Sequence, residues 1–237
     1  MTWTAVINSP RTLGNNGGVT VEVDTRTCDL LIIGIASAQN NTTFTDSAGN
    51  TWSTHTVYGS TAPRVFLKYV VPGAKVSATH TFSYTVTNSY SRLWILGLSG
   101  ASATPTDQET GATSGGGTPT ELPTGAITPS EDGTLVVSCL GTNSDVTGVG
   151  VTALGNLVTL GGGAQHGISG AYLDQTSAAA INPTWSWTNA QRASACIASF
   201  KLAAGAATTF YTPLTIYSGG KTPLVILPTG KTPLTIR

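Results

Sequence analysis

Asp29-Leu30-Leu31-Ile32-Ile33-Gly34-Ile35 and Gly133-Thr134-Leu135-Val136-Val137-Ser138-Cys139-Leu140 decide how this chain folds. Both runs are apolar, rich in Val, Ile and Leu, and too short for a buried helix. That combination reads as a strand buried on both faces. The runs begin 104 residues apart, and the spacing recurs. Ala153-Leu154-Gly155-Asn156-Leu157-Val158 echoes Ala48-Gly49-Asn50-Thr51-Trp52, and Gly170-Ala171-Tyr172-Leu173 echoes Phe66-Leu67-Lys68-Tyr69. Thr184-Trp185-Ser186-Trp187-Thr188 echoes Thr81-Phe82-Ser83-Tyr84-Thr85, and Arg192-Ala193-Ser194-Ala195-Cys196-Ile197 echoes Arg92-Leu93-Trp94-Ile95-Leu96-Gly97. Over the five matches the offset stays between 100 and 106 residues, which points to an internal duplication.

The similar halves run over about 18–100 and 127–203, with a Thr-, Gly- and Pro-rich loop expected at 101–126. Further strand signals fill the first half. Gly18 to Val23 alternates with period two, and Asp46-Ser47-Ala48-Gly49-Asn50 is turn chemistry, since Asp and Asn bond the backbone and Gly takes positive φ. By this count each half supplies only five or six strands, too few to cover both faces of its own sheet. The expected fold over residues 1–203 is therefore all-β: one antiparallel two-sheet β-sandwich in which the two halves interleave. Phe82 and Tyr84 share one face of their strand, as do Trp185 and Trp187. Such a row of rings is either core or a binding platform. Trp52, Trp185 and Trp187 are the candidates for stacking on sugar rings.

Composition narrows the function. Only 9% of residues are charged, and 11 basic residues balance 11 acidic ones, so nothing steers the chain to nucleic acid or an anionic membrane. The 40% hydrophobic content excludes disorder. No apolar run reaches the ~20 residues that span a bilayer. The start, Met1-Thr2-Trp3-Thr4-Ala5-Val6, lacks the basic and apolar regions of a signal peptide. Cys28, Cys139 and Cys196 sit in or beside apolar strands at no metal-ligand spacing, and read as small buried hydrophobes. A neutral, Thr/Ser/Gly-rich surface without an export signal fits a virion component, made in the host cytoplasm and released by lysis.

Catalytic patterns are missing. His55, His80 and His166 have no second ligand at metal spacing, and no paired carboxylates suit a glycosidase. There is no Gly-x-Ser-x-Gly elbow, and Gly161-Gly162-Gly163 does not lead into a phosphate-binding helix. Asp46 and Asn50 offer oxygens to a Ca²⁺ ion, but turn chemistry accounts for them. The chain is expected to be no enzyme and to use no metal or cofactor.

The order of an apolar strand, Asp46-Ser47-Ala48-Gly49-Asn50-Thr51-Trp52, an aromatic strand, and a strand ending in Ser99-Gly100-Ala101 resembles the β-sandwich, jelly-roll-like modules of bacteriophage virion proteins and some bacterial extracellular proteins. The resemblance covers roughly residues 1–203. It implies a decoration, fibre or carbohydrate-binding role, without selecting among them.

Residues 204–211 form a linker that begins with small residues, and 212–237 carry three ten-residue repeats: Thr212-Pro213-Leu214-Thr215-Ile216, Thr222-Pro223-Leu224-Val225-Ile226 and Thr232-Pro233-Leu234-Thr235-Ile236. Leu and Ile two apart suit one face of a short strand, and the leading Pro suits a strand start or an edge. One copy buries two or three apolar side chains at ~1.5–3 kcal/mol each. Ordering ten residues costs ~1–2 kcal/mol per residue in backbone entropy alone. The repeats therefore need a partner, and Pro213, Leu214, Ile216, Pro223, Leu224, Ile226, Pro233, Leu234 and Ile236 are the candidate assembly residues. The expected function is a structural virion protein, a head decoration, head fibre or tail-associated protein. Its expected partners are itself, as a homotrimer or other symmetric multimer, and other virion proteins. The alternative is a receptor- or glycan-binding module of a phage fibre with a host-surface glycan as partner.

Overall fold

The computed structural model describes residues 3–13, 17–20, 22–39, 43–73, 75–86, 91–160, 166–203, 214–216 and 224–226. Among these there is no helix, and every strand pairing is antiparallel. The chain divides into two compact units, Met1–Ala203 and Ala204–Arg237.

The first unit begins with β1 (Thr4–Leu13), β2 (Gly17–Val19), β3 (Leu30–Ser37), β4 (Thr43–Asp46), β5 (Ser53–Thr54), β6 (Arg64–Val70), β7 (Phe82–Thr85) and β8 (Ser91–Ser99). They form a five-stranded sheet in the order β1-β8-β3-β6-β5 and a three-stranded sheet β2-β7-β4. There follow β9 (Ala101–Thr113), β10 (Glu121–Pro123), β11 (Thr134–Thr142), β12 (Gly150–Val151), β13 (Gly155–Leu160), β14 (Gly167–Gln175), β15 (Thr184–Ser186) and β16 (Ala193–Leu202). Their sheets run β9-β16-β11-β14-β13 and β10-β15-β12. Each strand of the second set occupies the place of its counterpart eight strands earlier. The duplication read from spacing is thus a duplication of topology.

Two expectations change. Residues 101–126 are not a loop, because they contain β9 and β10, the opening strands of the second half. The halves do not interleave either. With β1, β2, β9 and β10 counted, each half has eight strands and two sheets of its own, and all described pairings between the sixteen strands stay within a half.

Packing explains the two runs that opened the sequence. In β3, Leu30 and Ile32 join one hydrophobic cluster, while Leu31, Ile33 and Ile35 join another on the opposite face. β8 divides likewise, with Trp94, Leu96 and Leu98 to one side and Leu93 and Ile95 to the other. The first cluster also takes Leu135 and Val137 of β11 and Cys196, Ala198 and Phe200 of β16, so it joins the five-stranded sheets of the two halves. The second lies between the first half's five-stranded sheet and β7, through Phe82 and Tyr84. A third cluster joins Ala193 and Ala195 of β16 to Leu122 and Trp185 of the second three-stranded sheet. Strands with a partner on each face must be apolar throughout, whereas half-solvated strands would alternate.

The register aligns the halves closely. Ile32 pairs with Tyr69 as Val137 pairs with Tyr172, and Gly34 pairs with Trp94 as Cys139 pairs with Cys196. Trp94 thus stands where the second half has Cys196. A Cβ on Gly170 would lie 2.1 Å from the Trp94 ring, so the second half presents a glycine backbone to the indole. Asn8 Oδ1 accepts the Trp94 indole N–H at 2.8 Å. The chain crosses between halves at Gly100, whose φ of 110° suits only glycine. The Asp29 carboxylate accepts the backbone N–H groups of Gly100 (2.8 Å) and Ala101 (3.0 Å) and fixes that crossing.

Candidate functional site

The three tryptophans proposed for sugar stacking have different surroundings. Trp185 is fully buried, and its indole N–H donates to Ser138 Oγ at 2.9 Å, which in turn donates to the Cys196 carbonyl at 2.8 Å. Trp187 is 4% exposed. Both rings are core, with no face free for a ligand, because β15 covers the outer face of the second half's large sheet. Trp52 is half-buried. Its N–H meets Asp46 Oδ2 at 2.5 Å, and its ring stands edge-on to Phe44 and Phe82 at 4.9 and 5.9 Å.

Asp46, His80 and Thr25 form a carboxylate–imidazole–hydroxyl series inside the first half. His80 Nε2 lies 3.3 Å from Asp46 Oδ1, a charge contact without hydrogen-bond geometry, and Nδ1 lies 2.8 Å from Thr25 Oγ1. The order of groups suits an activated nucleophile, but the burial does not: His80 and Thr25 are both 0% exposed. Thr25 Oγ1 also accepts the Ser77 N–H. Burial alone would raise the Asp46 carboxyl, yet hydrogen bonds from Trp52 and Asn50 and the nearby His80 outweigh it and hold the carboxyl below its usual range. Asp46 Oδ1 accepts the Ala48 and Asn50 backbone N–H groups, which leaves it committed to its turn rather than offered to Ca²⁺. In the second half Ile181 takes the bridge position of His80. The polar series is a lock on the β4–β5 turn.

Among the described residues no three His, Cys, Asp or Glu side chains gather as metal ligands. All three cysteines are buried free thiols, and burial raises each, Cys28 to about 12. A thiol held that high is a packing group, not a nucleophile.

The seam between the halves holds a further ionisable contact. His55 Nδ1, just after β5, lies 2.5 Å from Glu109 Oε2 on β9. Glu109 also accepts the Thr56 N–H at 3.1 Å and the Thr56 hydroxyl at 2.8 Å. The His55 ring packs between Tyr69 and Phe200, at 5.0 and 5.7 Å. Desolvation pulls the His55 imidazole below its usual value, against the opposing pull of Glu109. Beside this group opens a cleft of about 370 Å³, lined from the first half by Thr51, Ser53 and Tyr69 and from the second by Thr104 and Thr106. Nothing in the sequence singles these residues out. Their juxtaposition depends on a bulge and on the docking of two halves.

In the second unit, β17 (Leu214–Ile216) and β18 (Leu224–Ile226) pair antiparallel, with Leu214 opposite Ile226 and Ile216 opposite Leu224. The first two repeats thus supply the two strands of a hairpin. Pro213, Pro223, Pro233, Leu234 and Ile236 lie outside the described residues, as does the linker 204–211. Comparison with known proteins finds no matching family model, no matching curated protein and no matching solved structure.

Proposed function

We propose that this chain is a non-enzymatic structural protein of a bacteriophage virion, a head decoration, head fibre or tail-associated component, that anchors or multimerises through its C-terminal arm. The observation that carries the reading is the pairing of β17 with β18. Sequence repeats that pair with one another in register are units of strand addition. Two strands of three residues are too small a sheet to hold alone. Further strands complete it, from the third repeat and from the arms of symmetry-related copies.

The body supports a structural role. We read each half as a jelly-roll-like β-sandwich, a five-stranded sheet packed on a three-stranded one. The eight-strand order in two sheets favours this reading. The ionisable groups described above are committed to turns and seams. A neutral body held by large buried clusters suits a particle exposed outside the cell.

Deletion of residues 208–237 tests the role of the arm. The truncated protein is expected to fold and to be lost from purified particles. Full occupancy on particles without the arm would refute anchoring through it. Failure to find the full chain on any particle would refute the virion assignment.

A further inference from the structure

We propose that the cleft between the β5–β6 edge and the start of β9 binds a neutral saccharide. This site is independent of the arm and differs from the tryptophan platform expected from sequence. Three observations carry it.

The first is the backbone. Where β16 advances two residues, from Phe200 to Leu202, its partner β9 advances five, from Thr106 to Ala101. Three extra residues are therefore bulged out of β9 at the mouth of the cleft. The equivalent pairing of β1 with β8 runs in register through Thr4–Ser99 and Ala5–Leu98. Bulges of this kind re-aim side chains and concentrate beside binding sites. Here the bulge brings Thr104, Pro105 and Thr106 to the cleft.

The second is the chemistry of the lining. Thr51, Ser53, Tyr69, Thr104 and Thr106 bring five hydroxyls, and no hydrogen bond to another described residue engages any of them. Val71, which is 37% exposed, adds apolar surface beside the buried Pro105. No lining residue is charged. A neutral wall of hydroxyls beside C–H surface matches a sugar ring, which has polar edges and apolar faces. It does not match a phosphate, a carboxylate or a cation.

The third is preorganisation. The Tyr69 ring is held by His55 at 5.0 Å and Phe200 at 5.6 Å, and His55 is itself held by Glu109. A fixed half-buried aromatic costs little entropy on binding. The volume, about 370 Å³, is at the low end of small-molecule sites and fits roughly one or two sugar rings.

The test is saturation-transfer NMR of the full chain with glucose, galactose, N-acetylglucosamine and maltose, each at millimolar concentration. Transfer to at least one saccharide is expected. Ala103→Trp should abolish it by filling the cleft, and Thr104→Val should weaken affinity about 2- to 10-fold by removing one hydroxyl. Thr104 is exposed, so its variant keeps the test valid if Ala103→Trp does not fold. No transfer to any of the four, equal transfer in a folded Ala103→Trp variant, or unchanged affinity in Thr104→Val would each overturn the proposal.

Discussion

Gly170 has no room for a methyl group: its Cβ would fall within 2.4 Å of three atoms of the Trp94 indole. The indole cannot retreat, because its N–H is bound to Asn8 and its ring is fully buried. Gly170→Ala should therefore destabilise the body by about 2–3 kcal/mol, as overpacked cores do. Trp94→Ala should cost about 3–5 kcal/mol through the cavity it leaves. Urea unfolding of both variants checks the pair, and a Gly170→Ala midpoint equal to wild type would contradict the seam packing. Two histidines set the acid response. Burial depresses the folded-state value of His55, and burial together with Arg92 depresses that of His166. The unfolded chain therefore takes up protons near pH 6.5 that the folded chain refuses. Stability should fall as pH drops from about 7 through 6 and below, seen as a lower urea midpoint at pH 5.5 than at 7.5. A midpoint at pH 5.5 equal to or above that at 7.5 would contradict the burial of both rings.

At the scale of elements, β3 and β11 were legible because they pack on both faces and so carry unbroken apolar runs. β9 was not. Ala101–Thr113 contains no Val, Ile or Leu, and Thr and Ala dominate it. Its place is set by pairing with β16 and by Glu109, not by hydrophobic pattern. Reading it as a loop removed two strands from the second half and led to an interleaved fold. The burial of Trp185 and Trp187 was hidden for the opposite reason. Residue type shows an aromatic row, but only the covering sheet decides that Trp185 is core. The cleft left no trace in the sequence, since a bulge is a mismatch between two strands and neither carries it alone. Ser138 gives a test at this scale. It accepts from Trp185 and donates to the β16 backbone within a buried site. Ser138→Ala should cost about 1–3 kcal/mol by leaving the indole N–H without its partner. A loss below ~0.5 kcal/mol in thermal or urea unfolding would mean the network is not formed.

At the scale of the molecule, the two halves of the first unit depend on each other. Leu30, Ile32, Trp94, Leu96 and Leu98 form a continuous apolar face that the second half covers. Residues 1–100 expressed alone should therefore self-associate or precipitate, because an uncovered patch of this kind is an association surface. Residues 1–203 should instead unfold in one cooperative transition. Separate transitions for the two halves would show that the seam is weak. The arm obeys the same rule on a smaller scale, since β17 and β18 form a sheet too small to persist without added strands. The central claim is that these repeats assemble the protein, and native mass measurement tests it most directly on the full chain and on residues 1–203 at equal concentration. A symmetric multimer for the full chain and a monomer for the truncation are predicted. The same mass state for both, whether monomer or multimer, would contradict the account.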